Sequence, residues 1–308
     1  MGGYRMVLFK DQTGTRTYLI DVGNAIAHGG EGDICNIQGS PDKVAKLFHD
    51  NTPTLKINAL KNKVTYMAQT FAALPDNIRK AVSGQITWPE VALFDSNGNF
   101  RGYIMRKING HETLDCAYAE SQKVKSDFSC AERVLIAKNL CIVVNIMHSY
   151  LHSVVGDFNA KNIMVSIRNG TVFLVDSDSF HLQRTSQIRG RMVTEYMPAL
   201  VGRPEYLPKE LHEYVVAQSA RLDTLPQPSF NQESDLFGLA IHIFQLLMNG
   251  AHPFGLKINP AEQPPSFTVS KVDIGWAENI KKGRYVYSKT PSVIKTLFRF
   301  QPPEFAPS

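Results

Sequence analysis

The sequence predicts an α+β protein, with a small antiparallel sheet and one main helix first and a mostly helical region after it. Three observations carry this. Before residue 107 the chain runs in short stretches of alternating apolar and polar residues punctuated by Gly and Asn, the period of half-buried strands. Beyond residue 130 two long apolar stretches, Glu132 to His152 and Ser234 to Leu247, read as helices. Between them, two short apolar runs ending at Val165 and Val175 flank Asn169-Gly170, a turn pair that folds strands back on each other.

The bulk properties narrow the class. A chain of 308 residues is long enough for two lobes or two modest domains, and 43% hydrophobic with 20% charged residues is an ordinary globular composition. No apolar run is long enough to cross a bilayer, and the N-terminus lacks the apolar core of a signal peptide. Cys35, Cys116, Cys130 and Cys141 are scattered with no Cys-x-x-Cys pair, which favours reduced thiols and a cytoplasmic location. A net charge of +5 suits an anionic ligand but is no evidence for nucleic acid. Neither nucleic acid nor a membrane is expected as a partner.

In chain order, residues 17 to 48 read as strands and turns. Within them Ile26-Ala27-His28-Gly29-Gly30-Glu31-Gly32-Asp33-Ile34 places three glycines in four positions, where backbone amides can approach a phosphate. Glycine clusters also serve as plain turns. Val44-Ala45-Lys46 follows on an apolar strand. Residues 54 to about 82 read as helix, broken near Pro75 and carrying Lys56, Lys61 and Lys63, with no Asp or Glu between Asp50 and Asp76. This lysine face reads as solvated or as a docking face. Val91 to Met105 is a hairpin about Asn97-Gly98, leading into Arg106-Lys107-Ile108. The helix from Glu132 carries His148 and His152 four apart, a spacing that suits a metal, although no Glu completes the set.

The chemistry concentrates in Val154 to Val165 and in Phe173 to Asp178. An apolar run delivers Asp157 into a tight loop, Asn162 follows, and the returning strand ends at Asp176-Ser177-Asp178. One carboxylate, one amide and one or two further carboxylates thus share an edge. Magnesium on a polyphosphate needs this kind of set: few hard oxygen ligands, with room for phosphate and water. Asp157 is placed to receive or orient a hydroxyl proton. Asp157 and Asn162 as simple caps of a turn are the plainer alternative.

Asp157-x-x-x-x-Asn162 resembles the catalytic loop of protein kinases, and Asp176-Ser177-Asp178 resembles their metal-binding Asp-Phe-Gly. The resemblance covers roughly residues 20 to 255. It implies a bilobal protein-kinase-like fold, with an N-lobe over 1–107 and a C-lobe over 108–308. Gly29 and Gly32 match the second and third glycines of the phosphate loop, with Gly30 between them, and Ala27 replaces the first. Ile34 falls where the family has the valine over the adenine. Lys46 matches the phosphate-pairing lysine. Ala45, Met105, Lys107 and Met164 are expected to line or border the adenine pocket, with the interlobe hinge after Met105. Asn162 and Asp176 are expected to bind metal, with Asp178 replacing or supplementing Asp176. Val201 to Glu210 resembles the end of an activation segment, with Glu210 matching its Ala-Pro-Glu glutamate. Glu233-Ser234-Asp235-Leu236-Phe237-Gly238 resembles the helix that follows, with Ser234 as N-cap and Asp235 accepting backbone hydrogen bonds from the catalytic loop.

Several departures stand out. The helix glutamate that pairs with the lysine is missing, leaving Asn62 or Gln69 as the side chains able to approach Lys46. Val155-Gly156 replaces His-Arg before Asp157, so activity is not expected to depend on a phosphorylated activation segment, although Thr185, Ser186, Thr194 and Tyr196 are available. Asn159 replaces the loop lysine; Lys161, two positions on, either reaches the transferred phosphate or points to solvent. The chain beyond Gly255 departs from the family, with one further helix expected over Val293 to Phe300 and a frayed Pro-rich end. Its motifs resemble a bacterial group of kinase-like proteins that often carry helix-hairpin-helix modules and are encoded beside a metal-dependent phosphatase and a von Willebrand A protein. The resemblance implies a Ser/Thr protein kinase using ATP with Mg2+ or Mn2+. Its expected partners are a protein substrate, itself included, and a phosphatase. A nucleotide-binding pseudokinase scaffold and a small-molecule phosphotransferase are the alternatives.

Overall fold

The computed structural model describes residues 5–118, 129–166, 169–199, 202–212, 230–255, 257–258, 275–287 and 293–294. Six strands come first: β1 (Met6–Lys10), β2 (Thr17–His28), β3 (Gly32–Ile37), β4 (Lys43–Phe48), β5 (Val91–Phe94) and β6 (Phe100–Arg106). They are antiparallel, as expected, but they close into a barrel in the order β1-β2-β3-β4-β6-β5. The closure comes from β1, which precedes the expected strand region and pairs with β2 on one side and, at Lys10, with Phe94 of β5 on the other.

The period of two in a strand decides what each barrel residue faces. Ala45 and Leu47 join Phe9, Ile20, Cys35, Ile37, Leu93 and Ile104 inside the barrel. On the opposite face of the same strands, Phe48, Ala92, Phe100 and Tyr103 pack against Leu60 and Val64 of α1 (Thr54–Ala73). Lys46 has the parity of Phe48 and therefore lies on this outer face. Gly102 of β6 lies opposite Leu47, and a Cβ there would sit 1.9 Å from the Lys46 carbonyl oxygen. Only glycine lets the two backbones come this close.

The first helix ends where Pro75 dictates. Leu74 turns extended at ψ 145°, as the residue before a proline tends to, and α2 (Asp76–Gln85) restarts with Pro75 as its N-cap. Below it a second, larger core joins Met67, Phe71, Val82, Ile86 and Trp88 to Ile136, Leu140, Val143 and Met147 of α3 (Cys130–Tyr150). β7 (Glu112–Thr113), β8 (Ser153–Val154), β9 (Ile163–Val165) and β10 (Val172–Leu174) follow in chain order; β7, β9 and β10 form a small sheet with β9 in the middle. The segment after α2 is stitched to β10. Thr87 N donates to Leu174 O at 2.9 Å, Trp88 Nε1 to Met67 O at 2.9 Å, and Ser177 Oγ to Thr87 O at 2.7 Å. The strand that leads to Asp176 is thus held to the helical layer of the first lobe as well as to its own partner.

The activation-segment region forms a hairpin of β11 (His181–Ile188) and β12 (Arg191–Met197), with Thr185 opposite Thr194 and Ser186 opposite Val193. The next helix is α4 (Gln232–Leu247), and its N-cap lies three residues before the expected one. Asn231 is the N-cap, and Ser234 reaches back to the Asn231 amide as the other half of a capping box. The motif was placed correctly, but its hydroxyl acts from inside the first turn. A short helix, α5 (Trp276–Lys281), was not foreseen. Val293–Ile294 forms β14, paired with β13 (Lys257–Ile258), instead of opening a helix; residues 295–308, including the expected frayed end, lie outside the described residues. Among the described residues no helix is long and apolar enough to cross a membrane.

Because the Lys46 carbonyl leaves no room beside Gly102, G102A is expected to destabilise the fold by about 3 kcal/mol or more, read as a lowered thermal midpoint. G98A, at an open turn with nothing within 4 Å of the added carbon, should cost less.

Candidate active site

Lys46 emerges from the outer face of β4 and meets the end of β10. Its Nζ donates to Asp176 Oδ1 at 2.7 Å and to Asp178 Oδ1 and Oδ2 at 2.8 and 2.9 Å. Lys46 is buried, the Asp178 side chain is 1% exposed, and the Asp176 side chain is 42% exposed. Burial alone would lower the lysine pKa, but Asp178 and then Asp176 outweigh it and hold Lys46 above the usual range. The two carboxylates diverge. Desolvation and the like charge of Asp178 raise Asp176. Desolvation also pushes Asp178 upward, but Lys46, the Tyr103 hydroxyl and Lys63 together bring it below the ordinary value. Tyr103 OH donates to Asp178 Oδ1 at 2.7 Å. Tyr103 sits on β6 directly opposite Lys46. This residue was missed, although its shared parity with Met105 was a readable signal.

Asp176 has φ 60° and ψ 40°, a left-handed conformation unusual for a residue with a side chain. Its carbonyl is held by the Ser179 amide at 2.9 Å and the Ser179 hydroxyl at 2.7 Å. The turn Ser177–Ser179 therefore fixes how Asp176 and Asp178 project.

The Asp157 loop is fixed from both sides. Asp157 Oδ2 accepts from Asn159 Nδ2 at 2.7 Å and from Asn162 Nδ2 at 3.1 Å, and Asn162 O accepts from Val175 N at 2.9 Å. Asn159 thus orients the carboxylate, a role its replacement of a lysine did not suggest. Asp157 Oδ1 is buried and has no hydrogen-bond partner among the described residues. From below, Asp235 of α4 accepts from Val155 N at 2.8 Å, Gly156 N at 3.2 Å and His148 Nε2 at 2.9 Å. His148 is thereby engaged with Asp235, and among the described residues no group of three His, Cys, Asp or Glu side chains could hold a metal. Gly156 has φ 73°, and a Cβ there would lie 2.6 Å from Ala199 Cβ. His242 of α4 bridges Tyr118 OH and Phe158 O, each at 2.7 Å.

The glycine loop is a tight turn at the tip of β2 and β3. Gly29 N donates to Gly32 O at 3.0 Å, Gly30 is exposed between them, and Ala27 pairs with Ile34. Ile34 pairs with Lys46 across β3 and β4, so the loop lies next to the lysine strand. Met105 is opposite Val44 on the Lys46 side of the sheet. Met164, between core-facing Ile163 and Val165, projects away from that core. Two expectations need correcting. Ala45 is wholly buried inside the barrel and cannot line a cleft beside Lys46; one step in a strand reverses the face, and Val44 has the right parity. Lys107 already gives its amide to Asp42 O at 2.8 Å and its Nζ to Asn36 Oδ1 at 3.0 Å. The Lys161 side chain is exposed, and Glu210 is exposed.

The helix lysines differ from one another. Lys56 pairs with Glu31 of the glycine loop at 2.6 Å and Lys61 lies over the Phe94 ring, but Lys63 is buried, its Nζ donating to Pro198 O at 3.3 Å. Burial lowers Lys63 to about 8, against the attraction of Asp178 and Asp176. The lysine face is therefore not simply solvated. Neither Asn62 nor Gln69 is among the partners of Lys46, whose hydrogen bonds go to Asp176 and Asp178.

No protein-family model matches the chain. It is similar to "Protein kinase YegI" of Escherichia coli strain K12, 31% identical over 244 residues, covering 77% of this chain and 32% of the relative. The same-named protein of E. coli O157:H7 is 31% identical over 238 residues, covering 75% of this chain and 32% of the relative. The chain thus spans about a third of the length of these relatives. Among solved structures, the "ROP18 kinase domain in complex with AMP-PNP and sucrose" superposes with a TM-score of 0.53 at 14% identity, over 84% of this chain and 70% of that one. The chain has a protein-kinase-like fold. ROP2 from Toxoplasma gondii, described as "a virulence factor with a protein-kinase fold and no enzymatic activity", superposes with a TM-score of 0.52 at 14% identity, over 82% of this chain and 69% of that one. The fold is therefore shared by a kinase domain and by a protein without activity, and the side chains of the cleft must decide between them.

A buried lysine at about pKa 8 is protonated over a wider pH range in the unfolded chain than in the folded one, so its burden on stability is full at neutral pH and lifts as pH rises from about 8 towards the unfolded value. K63M is thus expected to melt a few degrees above the wild type at pH 7. That advantage should shrink by pH 10 in the same thermal scans.

Proposed function

We propose that this chain is an ATP- and magnesium-dependent protein kinase of the Ser/Thr type. The observation that carries the reading is the meeting of Lys46 with Asp176 beside a loop whose Asp157 keeps one oxygen unpaired. The donor set fits a hard cation: Asn162 and the half-exposed Asp176 are tied through adjacent backbone and offer oxygen only. Magnesium, when bound with the nucleotide, supplies charge neutralisation on the phosphates.

The remaining work falls to the chain. Lys46 donates to the α- and β-phosphate oxygens, and the turn from Gly29 to Gly32, with Gly30 exposed at its tip, covers them. Ile34, Val44, Met105 and Met164 flank the adenine. Asp157, held by Asn159 and Asn162, accepts the proton of the substrate hydroxyl as that oxygen attacks the γ-phosphorus and the bond from the γ-phosphorus to the β-phosphate oxygen breaks, with ADP as the leaving group. Lys161, on the exposed side of the loop, is close enough in sequence to steady the transferred group. Positioning and charge compensation account for most of the rate in such a site. The substrate is a protein hydroxyl, with the chain itself a candidate through exposed Thr185 and Thr194. A metal-dependent phosphatase is the proposed counterpart.

A pseudokinase is the second reading. It is favoured by α1, which places a buried lysine where the resemblance leads one to expect an acid. The ROP2 description supplies a precedent for the fold without activity.

With radiolabelled ATP, Mg2+ and a generic protein acceptor, the wild-type chain is expected to incorporate phosphate. D157A should lower the rate by about a thousandfold while binding AMP-PNP as before. Binding without incorporation in the wild type would decide for the scaffold.

A further inference from the structure

The helix that faces Lys46 has no acid to offer, yet the lysine is held by two carboxylates. We propose that Asp178 is the positioning residue for Lys46, replacing from the strand-end turn the carboxylate that α1 lacks, and that it is not a metal ligand. The assignment rests on the nucleotide-binding reading above and goes beyond it by dividing the labour between two neighbouring aspartates.

Three observations separate them. The first is occupancy of the oxygens. Asp178 Oδ1 accepts from both Lys46 and Tyr103, and Oδ2 accepts from Lys46. A metal at Asp178 would have to displace an ammonium from a side chain that is 1% exposed. Asp176 gives only Oδ1 to Lys46 and is 42% exposed, which leaves it able to face a cation and the solvent that comes with it.

The second is charge. Asp178 lies in the field of Lys63 as well as in contact with Lys46. Two cations satisfy this carboxylate and disfavour a third beside it. A lysine on the buried face of α1 also makes sense only if the acid comes from elsewhere.

The third is anchorage. Tyr103 holds Asp178 from β6, in the position directly opposite Lys46 on β4. Ser177, the preceding residue, is tied to Thr87 O, and Ser179, the following one, to Asp176 O. The lysine and its acid are therefore both referenced to the sheet and the strand-end turn. Orientation of Lys46 is built into the barrel and does not wait for the helix to swing inward.

The test compares wild type, D178N and Y103F by calorimetric titration with AMP-PNP, once in EDTA and once in excess Mg2+. D178N keeps the shape and removes the charge; Y103F removes only the hydroxyl that steers Asp178. The expected result is that D178N weakens AMP-PNP binding by about tenfold in both buffers, and Y103F weakens it in the same sense by about threefold. A loss confined to the magnesium buffer would make Asp178 a metal ligand and overturn the assignment. Unchanged or tighter binding would also overturn it, since Asp178 would then be idle or a competitor for the ammonium. If D178N does not fold, Y103F decides by the same criteria. A wild type that binds no AMP-PNP in either buffer would instead fail the nucleotide-binding reading, and the assignment would fall with it.

Discussion

A buried ammonium dictates much of this structure. Lys46 cannot leave water unless carboxylates come with it, because an uncompensated charge in the interior is costly. Asp178 supplies two hydrogen bonds of this compensation, and Asp176 adds a third. The partners lie 130 and 132 residues away in the chain. Satisfying them requires the barrel, the strand pair β9–β10 and the turn after it to assemble together.

Several otherwise unrelated features serve this meeting. Gly102 admits β6 close to the backbone of Lys46, and the same strand then delivers the Tyr103 hydroxyl to Asp178. The segment Ile86 to Trp88 pins β10 to the first lobe, so that the strand leading to Asp176 shares a core with α1 and α3. From the other side, Asp235 and His242 of α4 hold the loop carrying Asp157 through its backbone, leaving that side chain to Asn159 and Asn162. The site thus lies where the barrel and the larger core, which α1 and α3 share, meet.

Much of this was legible in the letters, and what was not has physical reasons. The strands, the break at Pro75 and the loop with Asp157, Asn162 and Asp176 could be read because polar residues at fixed spacing interrupt apolar runs. The partner of Lys46 could not, since a contact across more than a hundred residues leaves no local trace. Ala45 was assigned to the cleft through a one-residue slip of strand parity. A hydroxyl at a helix start reads as a cap, but a capping box uses two residues three apart, and here Asn231 holds the outer place and Ser234 the inner. The three helix lysines looked alike, although Lys63 falls in the i, i+3, i+4 row of Leu60, Val64 and Met67 and so is buried. Closure of the barrel depended on β1, a five-residue strand whose pairing with β5 rests on a single residue pair.

The most direct measurement of the central claim is a crystal structure of the chain with magnesium and AMP-PNP. The account predicts that Lys46 Nζ donates to a phosphate oxygen while keeping Asp178, and that the metal lies between Asn162 and Asp176. A nucleotide bound away from Lys46, or a metal seated on Asp178 with the lysine displaced, would contradict it.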